Sequence, residues 1–383
     1  MNVMIAQSGG PTPVINMSLR GAVEKALGME AVDKIYGSRN GVEGILHDDL
    51  VHLHEKAEDI RRASQQPGAI LGGSRHSLTE NEVAAIAEKL KELNVGIFCY
   101  IGGNGSSRTV KELHRHAVQN GINIQFVHIP KTIDNDLYGI DHTPGFGSAA
   151  KFVSHMVQWI GMDMASMKSY DKVEIVEVMG GNSGWLAAAT AIAKRDEADY
   201  PQIVYMPEQE VRLEEMLAQI ETVYSKTGSV MMIVPDHLKI PGLRSDAALG
   251  HPRSGYNGGI SYKLAGEVKQ RLGLKTRVTS PGTLYRTASC MASECDLSEA
   301  YRLGAEAVRF AAEGYSGGMV TLDRVSDSPY ECRIDWADLE HIAGKERPLP
   351  AHYWDAQRQM PTPAFIDYIL PLVDGQIIRP VIL

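Results

Sequence analysis

Cysteine is scarce in this chain of 383 residues: there are four, Cys99, Cys290, Cys295 and Cys332. None has CxxC spacing, and their density is far below that of a disulfide scaffold, so reduced thiols and a cytoplasmic location are expected. The 13 histidines show no HExxH or comparable spacing, and no structural metal is expected. There is no GxSxG elbow of a serine hydrolase, no Walker loop and no complete GxGxxG fingerprint. No apolar run reaches membrane length, and a strand-like run, Asn2 to Ala6, begins at once where a signal peptide would stand. Positive charge is also short. A formal charge of -9 argues against nucleic-acid or membrane-surface partners, so phosphate substrates would need local cationic clusters. Short-period repeats and low-complexity segments are missing as well.

What is present is ordinary globular material, 44% hydrophobic and 22% charged, with length for one large two-lobed unit or two domains. Strand, glycine or polar loop, and helix recur along it. Val3 to Ala6 runs into Gln7–Pro13 and a helical stretch from Val14 to Leu27. Val95 to Ile101 runs into Gly102-Gly-Asn-Gly-Ser106 and a helix to about Val118. Val173 to Val178 runs into Met179–Gly184 and the helix-like Trp185 to Ala193. Two more apolar runs, Ile203–Glu208 and Val230–Asp236, end in acidic tips. Alternating helices and nearly continuous apolar strands predict an α/β fold with buried, mainly parallel sheets. The Gly- and Pro-rich stretch Pro241 to Gly259 is expected to be a long loop.

The densest chemistry lies in His128-Ile-Pro-Lys-Thr-Ile-Asp-Asn-Asp136, at the end of the apolar run from Ile124 to Ile129. Pro130 removes a backbone donor and closes the strand. Ligand sites in open α/β sheets lie beyond the carboxyl ends of strands. Lys131 can hold a phosphate there. Of Asp134 and Asp136, one can take a proton from a hydroxyl and the other can help to hold Mg²⁺ or the acceptor. The same residues would also suit an Asx-rich turn with solvated carboxylates. Gly9-Gly10 and Gly102-Gly-Asn-Gly105 sit between strand and helix, where they serve either as tight turns or as anion cradles. Arg75, Arg277 and Arg286 stand near such turns and match phosphate oxygens, although each alone is also an ordinary surface charge. Together these features point to phosphoryl transfer.

In their order along the chain, these segments resemble the phosphofructokinase A-type family. The resemblance is carried by Ser8–Asn16, Gly102–Ser106, Pro130-Lys-Thr-Ile-Asp-Asn-Asp136, Asp141-His-Thr-Pro-Gly-Phe146 and Glu177–Trp185. Pro207-Glu208, Asp236 and Pro281–Arg286 extend it, so that it covers nearly the whole chain. Ser298–Val308 and Gly317–Leu322 look closest to pyrophosphate-dependent members. The resemblance implies two similar lobes, each a mainly parallel sheet flanked by helices. Residues 1–147, with part of 285–335, would bind the donor phosphate and 148–284 the sugar phosphate, with 336–383 as a C-terminal extension. It implies Asp134 as the base on the sugar 1-hydroxyl, with Lys131 and Arg75 at the transferring phosphoryl group. Thr132 and Asp136 would hold the sugar and metal side. Gly10, Gly103, Gly105 and Ser106 would border the donor phosphates, with Asn104 at the Mg²⁺ position. Met179, Gly180, Gly181, Asp236, Thr283 and Arg286 would line the sugar-phosphate pocket. Lys172 and Arg277 would reach a neighbouring subunit's site, which implies a homodimer or homotetramer.

Four positions depart from the family pattern. Gly181 replaces an arginine, Asn104 a carboxylate, Asp236 a glutamate and Tyr285 a glutamine. Lys131 is the pyrophosphate-type residue, whereas Gly105 is the ATP-type residue. The expected function is Mg²⁺-dependent phosphoryl transfer from pyrophosphate to fructose 6-phosphate, giving fructose 1,6-bisphosphate in glycolysis. The alternatives are ATP as donor, a different sugar or sugar phosphate as acceptor, and a weakly catalytic regulatory paralogue.

Overall fold

Strands rich in Val, Ile and Met need cover on both faces, and a computed structural model of the chain shows them in two helix-flanked sheets. It describes residues 1–243, 259–379 and 381, so most of the expected loop from Pro241 to Gly259 lies outside the described residues. The strands of the two sheets are β1 Asn2–Gln7, β2 Ile35–Ser38, β3 Leu50–His52, β4 Val95–Gly102, β5 Gln125–Pro130, β6 Val173–Val178, β7 Ile203–Val204, β8 Val230–Pro235, β9 Thr276–Thr279, β10 Gly318–Asp327 and β11 Tyr330–Asp338. The chain forms two compact units: Met1–Ala149 with Arg286–Arg347, and Ala150–Tyr285 with Pro348–Leu383.

The first unit holds the sheet ordered β11-β10-β5-β4-β1-β2-β3. It is parallel from β10 to β2, with β3 and β11 antiparallel at its edges. Every residue of β1 is buried, which is why its apolar run barely alternates. From β1 the chain moves outward through β2 and β3, then returns as β4 on the other side of β1. The β1–β4 boundary is therefore a topological switch point, and the carboxyl ends of β5, β4 and β1 stand side by side. Strand β11 straddles residue 336 because it pairs with β10 as far as Gly318 opposite Asp338, so the sheet takes in the start of the expected extension.

The second unit holds a parallel sheet ordered β7-β8-β6-β9. Its core gathers Val173, Ile175, Met232, Val234, Leu264 and their neighbours. The helix after β6 is shorter than its apolar run suggests, Trp185–Ala189. Trp185 is buried against Tyr353 and Tyr368, with ring centroids 5.8 and 5.3 Å away, so the C-terminal residues of this unit are packed through aromatic contacts.

Glycine permits one close helix crossing in the first unit. A Cβ on Gly304 of helix Glu294–Ala312 would lie 2.0 Å from the Ser18 carbonyl, and one on Gly21 of helix Ile15–Leu27 2.0 Å from the Tyr301 carbonyl. Both obstacles are backbone. Gly304→Ala gains about 1 kcal/mol of helix propensity but meets an overpacking cost at the upper end of about 1–3 kcal/mol. We expect a net loss of roughly 1–2 kcal/mol, read as a lower urea midpoint, from these opposing terms. A raised midpoint would show that the helices part freely.

Candidate active site

Three loops meet at the carboxyl ends of β1, β4 and β5. The first, Ser8–Gly10, is tied back by Gly9 N–H donating to the Ser74 carbonyl at 2.9 Å and Ser8 Oγ donating to the same oxygen at 3.0 Å. Gly9 lies at φ +71°, where a side chain would be strained. A Cβ on Gly10 would come within 2.3 Å of Arg286 Nη1, so the small residue admits this guanidinium. The second loop leads into helix Asn104–Gln119, with Gly103 at its N-cap. Gly105 is exposed and has no non-neighbouring heavy atom within 4 Å of where a Cβ would stand, while Ser106 is buried.

The third loop carries the titratable groups. Lys131 is 2% exposed, and its Nζ donates to the Gly10 carbonyl at 2.7 Å, bridging the β5 and β1 loops. Burial pulls its pKa down to about 8, opposed by Asp134 and reinforced by Arg286 and Arg75. Asp134 follows a turn in which its N–H donates to Thr132 Oγ1 at 3.1 Å. Burial pushes its carboxyl well above the usual carboxylate range, the charge of Asp136 adds to this, and Lys131 and Arg286 oppose it. Asp136 is also raised by burial and by Glu346, against a hydrogen bond from Asn104 Nδ2 to its Oδ2 at 2.8 Å and the charge of Arg347. Asn135, between the two acids, is fully buried at φ +55°. Its Oδ1 accepts the Thr143 N–H at 2.9 Å, which turns the flanking residues outward from a fixed hub.

His128, which opens the motif, lies in the core on β5. It is fully buried, and burial pulls its pKa down to about 3, so the ring stays neutral near pH 7 with Nε2 2.9 Å from the Gly102 carbonyl. Arg75 is exposed on the loop after Gly73, close enough to depress the pKa of Lys131. Gly10, Asn104, Lys131, Thr132, Asp134, Asp136, Arg75 and Arg286 thus belong to one electrostatic neighbourhood of the first unit. The guanidinium of Arg286, one of the sugar-phosphate candidates, rests against Gly10.

Two participants escaped the sequence reading. Arg347 donates its N–H to the Asp136 carbonyl at 2.8 Å and its Nη2 to the Asn135 carbonyl at 3.2 Å, and Glu346 faces Asp136 electrostatically. They lie more than 200 residues from the motif, where spacing gives no signal.

The sugar-side candidates lie in the second unit. Met179, Gly180 and Gly181 follow β6, and Asp236 follows the adjacent β8, with its N–H donating to the Val178 carbonyl at 2.9 Å. Gly180 and Gly181 both have positive φ, +157° and +61°. His237 Nδ1 and Asn182 Oδ1, 3.2 Å apart, join the two loops. Asp236 is buried and Thr283 exposed. Tyr285 is 1% exposed, donates to the Glu177 carbonyl at 2.7 Å and packs on Phe152, so it supports the end of β6 from within. Arg277 is engaged by Asp163, Asp171 and Glu174 at 2.9, 2.9 and 3.1 Å, and Lys172 Nζ donates to the Lys168 carbonyl at 2.9 Å.

The phosphofructokinase family model matches residues 2–311 of the chain. The chain is 33% identical to a pyrophosphate–fructose 6-phosphate 1-phosphotransferase of Xanthomonas campestris pv. campestris (strain B100), over 98% of this chain and 92% of that one. It is 32% identical to a sulfofructose kinase of Alkalicoccus urumqiensis, over 94% and 93% of the two chains. Among solved structures, a pyrophosphate-dependent phosphofructokinase from Marinobacter aquaeolei superposes with a TM-score of 0.88 at 30% identity, covering 100% of this chain and 94% of its own. A motif set at the switch point of a parallel sheet, a matching family model and relatives alike from end to end lead to one conclusion: the chain belongs to the phosphofructokinase family.

Proposed function

We propose that the protein transfers a phosphoryl group from pyrophosphate to the 1-hydroxyl of fructose 6-phosphate, giving fructose 1,6-bisphosphate in glycolysis. The observation that carries this reading is the Lys131–Asp134–Asp136 cluster at the joined ends of β1, β4 and β5. A carboxylate raised toward neutrality by burial is well matched to take a hydroxyl proton near pH 7. Lys131, held against the Gly10 carbonyl, places a cation where donor phosphates would meet the glycine loops. Gly103, Gly105, Ser106 and the N-terminus of helix Asn104–Gln119 offer backbone N–H groups to the same phosphates. Arg75 and Arg286 neutralise the group in transit, the main work in phosphoryl transfer.

Magnesium fits this cluster. Asp136 and the Asn104 side chain would supply hard oxygen donors of the kind Mg²⁺ prefers, leaving Asp134 for the proton. When bound, the ion would shield charge on the phosphates. Thr132 would help to hold the sugar.

The pyrophosphate reading is supported by Lys131 and by the relatives named for that donor. The first unit serves the donor and the second the acceptor, through Met179, Gly180, Gly181, Asp236 and Thr283. Lys172 and Arg277 would join a neighbouring subunit's sugar site in a homodimer or homotetramer. For Arg277 that role requires release from at least one of three carboxylates of its own unit.

A second reading changes the acceptor to another acidic sugar. It is favoured by Gly181, where a cation near the reacting phosphates is missing, by Asp236 and Tyr285, and by the similarity to a sulfofructose kinase. Loss of one electrostatic contact of this type costs about 10²–10³ in rate unless the substrate changes with it.

Purified protein with Mg²⁺ and fructose 6-phosphate should turn over with pyrophosphate and not with ATP. Turnover with ATP alone would overturn the donor, and activity only on sulfofructose would establish the second reading. Asp134→Asn should lower kcat by roughly 10²–10⁴ with sugar KM within a few-fold, because only the proton acceptor is lost. An unchanged kcat would remove Asp134 from this role.

The pH dependence follows from the signs of the shifts. Asp134 works when ionised, so activity rises through a pKa above the ordinary carboxylate range. Lys131 works when charged, so activity falls as pH rises through about 8. A bell-shaped profile of kcat/KM is expected, and a profile flat through weakly acidic and alkaline pH would contradict both assignments.

A further inference from the structure

Behind the acidic pair lies a buried polar cluster that the proposed chemistry does not use. His142 is 1% exposed, with Nδ1 2.8 Å from Asp141 Oδ1 and Nε2 2.7 Å from Glu299 Oε2. Glu299 also accepts from the Tyr330 hydroxyl at 2.5 Å, and Asp141 accepts from Arg324 Nε at 3.0 Å. Three residues earlier on the same helix, Glu294–Ala312, Asp296 accepts the Gly145 and Ser148 N–H groups at 2.9 Å each and the Ser148 hydroxyl at 2.6 Å. Two carboxylates one turn apart on one helix thus grip both ends of segment 142–148. The segment ends at the hub, where Thr143 N–H donates to Asn135 between Asp134 and Asp136.

The charged and titratable groups facing His142 come from three sides. Asp141 adjoins it in the chain, Arg324 lies on β10, Tyr330 and Cys332 lie on β11, and Glu299 and Cys295 lie on the helix. Asp141, His142 and Cys332 offer ligand-type atoms within 4.8 Å of one another, so a soft metal site has to be weighed. Both ring nitrogens of His142 already meet carboxylates, and Arg324 already pairs with Asp141. With two carboxylates, one imidazolium and one guanidinium the charges balance without an ion. Burial would lower the pKa of His142, but Glu299 and Asp141 outweigh it and raise it to about 9. The cationic ring therefore persists across neutral pH.

We propose that His142, clamped between Asp141 and Glu299, is a positioning residue that sets the placement of Asp134 and Asp136 through Thr143 and Asn135. This rests on the reading of Asp134 as the base. Loss of the clamp frees the loop rather than the substrate contacts. A misplacement of about 1 Å at a reacting group can cost on the order of 10²-fold in rate.

The test uses His142→Gln and, as a milder change, Glu299→Gln, which keeps an acceptor oxygen but removes the charge. Both are assayed beside the wild type and Asp134→Asn, with thermal unfolding monitored. We expect His142→Gln to lower kcat about 10- to 100-fold with both substrate KM values within threefold, the signature of lost orientation rather than lost binding. The loss should persist per folded molecule, counted from the unfolding amplitude, and at saturating concentrations of both substrates. Glu299→Gln should lower kcat in the same way by less. A merely structural role would lower kcat only in proportion to the folded fraction, and that result would overturn the proposal. Loss of turnover in Asp134→Asn with wild-type kcat in both clamp variants would sink the clamp alone. Full activity in Asp134→Asn would sink the reading beneath it. One tightly bound zinc per purified chain, lost in Cys332→Ser, would show that the ring is a ligand and would likewise overturn the proposal.

Discussion

The burial of Lys131 beside two carboxylates is the constraint on which the rest of the first unit depends. Isolated charges in such a place would be prohibitive, and burial pushes each group toward its neutral form. Lys131 offsets part of that cost for Asp134, and Asp134 offsets part for Lys131. Hydrogen bonds meet the remainder: the Gly10 carbonyl receives the ammonium, the Thr132 side chain bonds Asp134, and the Asn104 amide donates to Asp136. The result is a cation and a base with pKa values drawn toward each other. Both charged forms coexist near neutrality, as the proposed proton abstraction requires.

Close backbone approach keeps this cluster from relaxing. A Cβ on Gly73 would lie 2.6 Å from the Gly9 carbonyl, so the loop bearing Arg75 is seated directly on the loop bearing Gly10. Helix Glu294–Ala312 is held as firmly from the far side, through Gly21 and Gly304 against helix Ile15–Leu27. Its Asp296 and Glu299 then carry that rigidity to segment 142–148. Stability and function share these contacts, because the helix crossing that packs the unit also fixes the hub between the acids.

Much of this was legible in the sequence for physical reasons. Buried parallel strands must be apolar almost throughout, so β1, β4, β5, β6 and β8 stood out with boundaries close to those observed. The motif from Lys131 to Asp136 was visible because its chemistry is contiguous. Distant partners were not: Glu299 meets His142 across 157 residues, and Arg347 meets Asn135 across 212. No periodicity links such positions. The end of the first sheet was also obscured, since β11 is an edge strand of mixed burial and lacks the apolar run that marks a central one. Tyr285 illustrates a further limit. Its identity marked a departure on the acceptor side, but only the fold shows that it lies beneath the end of β6, not on an open wall.

The two units differ in how they tolerate change. Donor-side residues sit at the ends of adjacent central strands and share hydrogen bonds, so replacing one disturbs several. On the acceptor side, the departure at Gly181 falls in a loop whose backbone has itself been committed to glycine. At φ +61° any L-residue pays for the left-handed conformation, roughly 1–2 kcal/mol. An arginine there would carry that cost or require the loop to change path. The lost cation is therefore built into the backbone rather than being a single exchanged side chain, and the shorter acid at Asp236 stands on the neighbouring strand end. The candidate donor residues are tied together by shared burial and charge, whereas the candidate acceptor contact at Gly181 rests on a single loop. Under the proposed function, a cation that compensates for Gly181 comes more cheaply from another element than from this position.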